Sequence, residues 1–318
     1  MNYQEMTRGV IEMMKVLMPE VVRRQRGLTE EEISLKGKND FLTETDLYVD
    51  RELRRMLGEK FPETEFLTEE TTEDWRLEGW GDFEDYREKK ALWIIDPIDG
   101  TKSFAIGGAE YGVAVALAVE GRIVIGVIAK PVFGEIYYAS EDGEGAWVMT
   151  RAGLGERAED LAEVVGLGEG AGRGERARMD MGTEFGGGEE LTKWTKKRLK
   201  VSEYKELDKT RMALEPGGRP RARKLNLPIV RKLIEVVAEP YNICSSACHA
   251  CLVAKGEIDG MQSPGSPWDL AAGKIIVEKA GGVSGRADGG EFDYLKKGGV
   301  FCNSGRMMEE VVGVVKGD

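Results

Sequence analysis

"LWIIDPIDGTKSFAIGG", residues 92–108, runs an apolar strand straight into two aspartates, a proline and a glycine. Asp, Pro and Gly are ordinary turn residues, so a plain loop is the reading that the rest of the chain has to displace. Asp96 stands at the carboxyl end of the strand, where ligands settle in sheets covered by helices. Pro97 has no N–H to give a ladder, so the strand is expected to stop there. Asp99 follows, and Gly100 and Thr101 then present backbone N–H groups at the start of a helical turn. Acids followed at once by free amides make a mixed site. The carboxylates can hold a cation, while the amides and the Thr101 hydroxyl can hold an anion. Mg²⁺ with a phosphate fits that description, because Mg²⁺ takes a few carboxylates together with substrate oxygens and waters.

The chain has 318 residues, enough for a well-filled core in two domains or one composite one. Its 45 basic and 57 acidic residues leave a formal net charge of -12. That balance opposes unaided binding to nucleic acid or an anionic membrane, so neither is expected as a partner, and an anionic substrate needs a local cation. No apolar run reaches the ~18 residues of a spanning helix, and the start lacks a basic segment followed by an apolar one. A soluble, cytoplasmic protein is expected. Three of its cysteines, Cys244, Cys248 and Cys251, crowd together, and Cys302 stands apart. Their spacing admits a metal site, but they fall on a helical pattern with Ala247, Ala250 and Leu252, which favours reduced thiols packed in a core. His249 is the only histidine. A multi-histidine zinc site or a His-activated nucleophile is therefore set aside, and hydrolysis must be run by carboxylates, hydroxyls or thiols.

Apolar residues at helical spacing (Met6, Val10, Met13, Met14, Leu17, Val21, Val22) predict a long first helix over 3–26. A second helical pattern, "DLYVDRELRRMLGEKF" (46–61), ends at Pro62, and "TEFLTEE" (64–70) reads as a short strand running into Glu69 and Glu70. Lys36 and Lys38 lie in the polar stretch between the two helices. Residues 71–90 read as a polar surface excursion. Residues 111–147 read as an antiparallel meander, with hairpin signals at "EGR" and "PVFGE", packed against the first two helices. The glycine-rich, charged stretch 151–195 reads as a mobile insertion, and it carries no strand-borne phosphate loop. Beyond it come a helix at "LPIVRKLIEVVAEP", a helix at "SACHACLVAK", a helix at "SPWDLAAGKIIVEKAGG", a strand at "GGVFCNSG" and a final helix. The expected organisation is an α+β half over 1–150, the insertion over 151–195, and an α/β half over 196–318 that carries Asp269. Taken alone, Asp269 is an N-cap candidate, worth ~1 kcal/mol.

"TETD" (43–46), "TEE" (68–70), "DPIDGT" (96–101) and "WDLAAG" (268–273), in this order and with these separations, resemble the inositol monophosphatase superfamily of metal-dependent, lithium-sensitive phosphatases. The likeness spans the chain apart from 71–90 and 151–195. It implies an α/β layered sandwich of the inositol monophosphatase and fructose-1,6-bisphosphatase type, and a homodimer. By position it implies Glu69, Asp96, the Ile98 carbonyl, Asp99 and Asp269 as ligands of two or three Mg²⁺ ions. Asp46, Glu69 and Thr101 would orient the attacking water. Gly100 and Thr101 would contact the phosphate, with Asp99, Asp269, Ser245 and Ser246 on the substrate side. Ions held there would offset substrate charge and lower the pKa of a water, with no histidine and no phosphoenzyme needed.

The chain departs from the pattern in places. Thr68 stands where members often have Gly, "CSSACHACLVA" replaces a Gly-Ser/Thr-Ala turn, and Gln262 or Ser263 occupies the position of an expected acid. An inositol monophosphate or a related sugar or polyol phosphate is the first substrate expected. A 3'(2'),5'-bisphosphate nucleotide comes second, on the paired serines and the insertion, and histidinol phosphate third, on Lys102. A catalytically silent phosphate-binding regulator is the non-enzyme alternative. The intact acids argue against it, since like charges are costly to hold together without a metal.

Overall fold

Residues 2–37, 40–71, 83–152, 193–204 and 206–317 are described by the structure, a computed structural model. The first apolar stripe becomes α1 (Tyr3–Gly27), started by the Asn2 side chain, which accepts from the Glu5 N–H (3.1 Å). The polar stretch after it forms a hairpin of β1 (Ile33–Gly37), which includes Lys36, and β2 (Asp40–Thr43), while Lys38 lies outside the described residues. The hairpin feeds α2 (Glu44–Lys60) through a capping box of Thr43 and Asp46.

The main sheet runs in chain order: β3 (Glu65–Thr68), β4 (Ala91–Asp99), β5 (Gly112–Val119), β6 (Arg122–Lys130), β7 (Glu135–Ser140), β8 (Trp147–Arg151) and β9 (Trp194–Arg198). The β3–β4 pair is parallel and the β4–β5 and β5–β6 pairs are antiparallel. β4, β5 and β6 are nearly unbroken apolar runs because both faces of the sheet are covered. Trp93, Ile95, Val113 and Val115 pack on α1 and α2. Leu92, Ile94, Ala114 and Ala116 pack on helices from the second half of the chain, which the expectation of a meander on two helices did not include.

β4 does not stop at Pro97. It continues to Asp99, and its register on β5 slips: Asp96 pairs with Ala114 and Asp99 with Gly112. One extra residue on β4 absorbs the missing proline N–H as a bulge, and the bulge re-aims Asp99 toward the side of Asp96. A short helix, α3 (Thr101–Ala105), follows.

The second sheet has the order β11-β10-β12-β14-β13. Its strands are β10 (Arg211–Leu214), β11 (Glu239–Tyr241), β12 (Gly260–Ser263), β13 (Val283–Gly285) and β14 (Gly299–Cys302). Between the two sheets lie α5 (Ser246–Lys255) and α6 (Pro267–Lys279). On the outer face, α4 (Pro220–Ile234) and α7 (Gly305–Lys316) pack through Leu214, Val230, Leu233 and Val311. The layers are thus helix, sheet, helix, sheet, helix, and the fold class is the expected mixed α/β sandwich. α4 departs from the helix expected over 227–240. Pro220 starts it early at the first helical position, where a proline costs nothing, and it ends before "EVVAEP", whose last residues enter β11. Of the expected insertion, Arg151 belongs to β8, Trp194–Thr195 belong to the edge strand β9, and 153–192 lies outside the described residues, as do 72–82 of the expected excursion. Among the described residues no helix is long and apolar enough to cross a membrane.

Candidate active site

The β4 bulge and the first turn of α6 bring three carboxylates together. Asp96, Asp99 and Asp269 each place an oxygen within 4.8 Å of the others. Asp269 is not an N-cap: Ser266 holds that position, and Asp269 Oδ2, three residues on, accepts from the Ser266 N–H (2.6 Å). Burial, and then the charge of Glu69, Asp99 and Asp269, hold the Asp96 carboxyl well above the usual range. Asp99 is raised by burial and by Asp269, against the opposing Ala247 N–H. Asp269 is pushed up to about 6 by burial, opposed by its hydrogen bonds to Asp96 and the Ser266 N–H. Asp96 Oδ1 is buried with no hydrogen-bond partner. Hard oxygen donors crowded at this distance, one of them orphaned, are the donor set that a divalent cation takes. Glu69 sits just past β3, its N–H donating to the Ile95 carbonyl (3.2 Å), and lines the same cleft.

The Ile98 carbonyl accepts from Thr101 Oγ1 (2.9 Å), which also approaches Asp46 Oδ1 (3.4 Å). Asp46 is fully buried, and its Oδ2 accepts from the Thr43 N–H (2.9 Å) and hydroxyl (2.5 Å). The capping box that starts α2 thereby also fixes an acid beside Thr101. Gly100 turns the chain at φ +93, where an added Cβ would meet the Glu110 carbonyl at 2.9 Å.

On the other wall, Ser245 caps α5 and is buried, with its Oγ donating to Asp99 Oδ2 (2.9 Å). It positions that carboxylate. Ser246 lines the cleft and donates to Glu215 Oε2 (2.9 Å). The cleft has a volume of about 290 Å³ and is lined by Glu69, Asp99, Thr101, Glu215, Ser246 and Asp269 among others.

Glu215 is a site residue that motif reading missed. It follows β10, whose Leu214 pairs with Gln262 of β12, so it stands beside the positions where an acid was expected and not found. Oε2 also accepts from Ser263 Oγ (2.9 Å), and Oε1 meets His249 Nδ1 at 2.7 Å. His249 Nε2 accepts from the Ile243 N–H (3.0 Å), which places the ring proton on Nδ1, directed at Glu215. The lone histidine is thus a fully buried brace, with neither nitrogen facing substrate. The available signal was an acid at the end of a strand just before "PGGRP".

Cys248 and Cys251 are buried on α5, and burial pushes the Cys248 thiol up to about 12. Cys244 departs from the expected helical pattern: it is exposed, at φ 60, ahead of the helix.

The chain is similar to "Nus factor SuhB" of Haemophilus influenzae, with 27% identity over 287 residues, covering 90% of this chain and 86% of that protein. "Inositol monophosphatase 3" of Solanum lycopersicum is 27% identical over 266 residues, covering 82% of this chain and 79% of that one. Among solved structures, the extragenic suppressor protein suhB from Bartonella henselae shares the fold at a TM-score of 0.71 and 22% identity, with 98% of each chain covered. The match to the inositol monophosphatase family model extends over residues 2–317, from the start of α1 to the end of α7 and across every acid described above; the chain belongs to the inositol monophosphatase family.

Proposed function

We propose that the protein is a Mg²⁺-dependent phosphatase of small phosphomonoesters, with an inositol phosphate or a related polyol or sugar phosphate as its first substrate class. The observation that carries this reading is the Asp96, Asp99 and Asp269 cluster with its orphaned Asp96 oxygen, at the foot of a cleft beside Gly100 and Thr101. Glu69, Asp96, Asp99 and Asp269, with the Ile98 carbonyl, would hold two or three Mg²⁺ ions. Bound there, the ions supply positive charge against the phosphate, acidify water and steady the leaving oxygen. Asp46 and Thr101, whose oxygens stand 3.4 Å apart, orient the attacking water together with Glu69. The N–H groups of Gly100 and Thr101 meet phosphate oxygens. Ser245 and the Ala247 N–H keep Asp99 turned toward the cluster. Glu215, braced by His249, Ser246 and Ser263, accepts a substrate hydroxyl in place of the acid absent at 262 and 263.

A second reading is a regulator that keeps the fold without turnover, and likeness to a protein named Nus factor SuhB favours it. The expectation of no nucleic-acid partner draws no support from that likeness. Phosphate release with Mg²⁺, measured on inositol 1-phosphate, 3'-phosphoadenosine 5'-phosphate and histidinol phosphate, separates the two. Turnover on one of them, lost in Asp96→Asn and inhibited by millimolar lithium, is expected of the enzyme. No release from any of them leaves the regulator.

A further inference from the structure

Asp96 and Asp99 come from β4 and Asp269 from α6, yet their oxygens meet within 4.8 Å. Contacts that hold the first turn of α6 in place therefore bear on the cluster. One set of them comes from residues 83–90, which stand in the chain between Glu69 and Asp96 and dock on the second half of the molecule. Phe83 is 4% exposed and packs T-shaped against Trp268, with ring centroids 5.6 Å apart. Trp268 lines the cleft and immediately precedes Asp269. The Phe83 N–H donates to the Leu295 carbonyl (3.2 Å). Arg87 Nη2 donates to Asp293 Oδ2 (2.9 Å), and the other Asp293 oxygen accepts from the Leu295 N–H (3.0 Å). That loop runs on to Gly298, whose N–H donates to the Gly265 carbonyl (2.8 Å). Gly265 lies tight on the acid: an added Cβ there would meet Asp269 Oδ2 at 2.8 Å. At its other end the stretch is tied to β3 by the ion pair of Lys89 with Glu65 (2.6 Å).

The plain reading is that Phe83 fills core space and that Arg87 makes a surface ion pair of little worth. The placement of the contacts favours more than that. The ring contact, the backbone bond and the ion pair all fall on Trp268 or on the loop that touches Gly265. They arise from the connection between two of the site's acids and end at the turn that carries another. Partners behind a metal ligand fix its position, and losing one costs about 10–100-fold in metal affinity.

We propose that Phe83 and Arg87 are positioning residues of the cation site: residues 83–90 form a strap that holds the Trp268–Asp269 turn at ligand distance from the β4 acids. This inference rests on the cation-site part of the phosphatase reading.

Mg²⁺ binding, measured by calorimetry without substrate, tests it. Phe83→Ala should raise the Mg²⁺ Kd about tenfold or more, and Arg87→Gln, which removes an exposed pair, by about two- to fivefold. Leu233→Ala is the control: it opens a cavity in the outer layer between α4 and α7, far from the strap in the contact pattern, and should lower urea stability with the Mg²⁺ Kd unchanged. An unchanged Kd in Phe83→Ala overturns the proposal, as does an equal rise in Leu233→Ala, since loss of stability alone would then explain both. Amide exchange in EDTA supplies a readout free of the metal. The peptide spanning 265–270 should exchange at least twofold faster in Arg87→Gln than in wild type, and an unchanged rate refutes the strap. A wild type that binds no Mg²⁺ refutes the cation-site reading instead, and the exchange rates then decide the strap. They also decide it, through Arg87→Gln, if Phe83→Ala does not fold.

Discussion

Asp96→Asn should stabilise the metal-free protein and destabilise the metal-loaded one relative to wild type. The three carboxylates place oxygens within 4.8 Å of one another. Two unit charges at that separation repel by about 3.5 kcal/mol at an effective dielectric of ~20. The substitution removes the charge of Asp96 from its pairs with Asp99 and Asp269, and it offers an amide N–H that can donate to either. The realised gain is smaller than the sum, because the wild-type cluster relieves itself by holding a proton, as the raised Asp96 and Asp99 carboxyls indicate. A gain of about 1–3 kcal/mol is expected in EDTA. Mg²⁺ at a hundredfold excess over its Kd should stabilise wild type by about 2.7 kcal/mol, and the variant, short of one ligand, by much less. Urea unfolding of both proteins with EDTA and with Mg²⁺ reads the four stabilities. The order should invert between the two conditions. An Asp96→Asn protein less stable than wild type in EDTA, or a wild type indifferent to Mg²⁺, would refute the reading of this cluster as a cation site.

Gly126 of β6 lies against α6, where an added Cβ would run into the Ala272 carbonyl and come within 2.6 Å of Ile275 Cγ2. Gly126→Ala should therefore cost about 1–3 kcal/mol in urea unfolding, and it should weaken Mg²⁺ binding because α6 carries Asp269. Wild-type stability would show that the helix can move away freely. Thiol labelling at pH 8 should find one fast group, the exposed Cys244. A thiol raised to about 12, as Cys248 is, stays protonated until the pH approaches that value, and burial raises Cys251 and Cys302 in the same direction. A second fast thiol in the native protein would contradict the burial of α5 or of β14.

Local pattern made much of this protein legible. The stripe from Val10 to Val21, the alternating hairpins of the meander and the acids of "DPIDGT" and "WDLAAG" are properties of short windows, and helix period, turn chemistry and donor type can be read within them. The small amphipathic elements followed, as did the type of donor in the acid cluster. The remainder depended on pairing between distant segments. Whether β4 ends at Pro97 depends on β5, which receives the extra residue as a bulge and so turns Asp99 toward Asp96. Whether the substrate side lacks an acid depends on the β10–β12 register, which sets Glu215 beside Gln262. The role of His249 depends on a carboxylate from another strand and an N–H from the loop ahead of its own helix. Lys102 of α3 and Arg223 of α4 line one cleft only because tertiary packing brings the first turns of these distant helices to it. Sequence determined which acids and amides were available and which elements carry them. Tertiary structure alone decided which of them share a cleft, because strand register and helix packing act between residues that no local window contains.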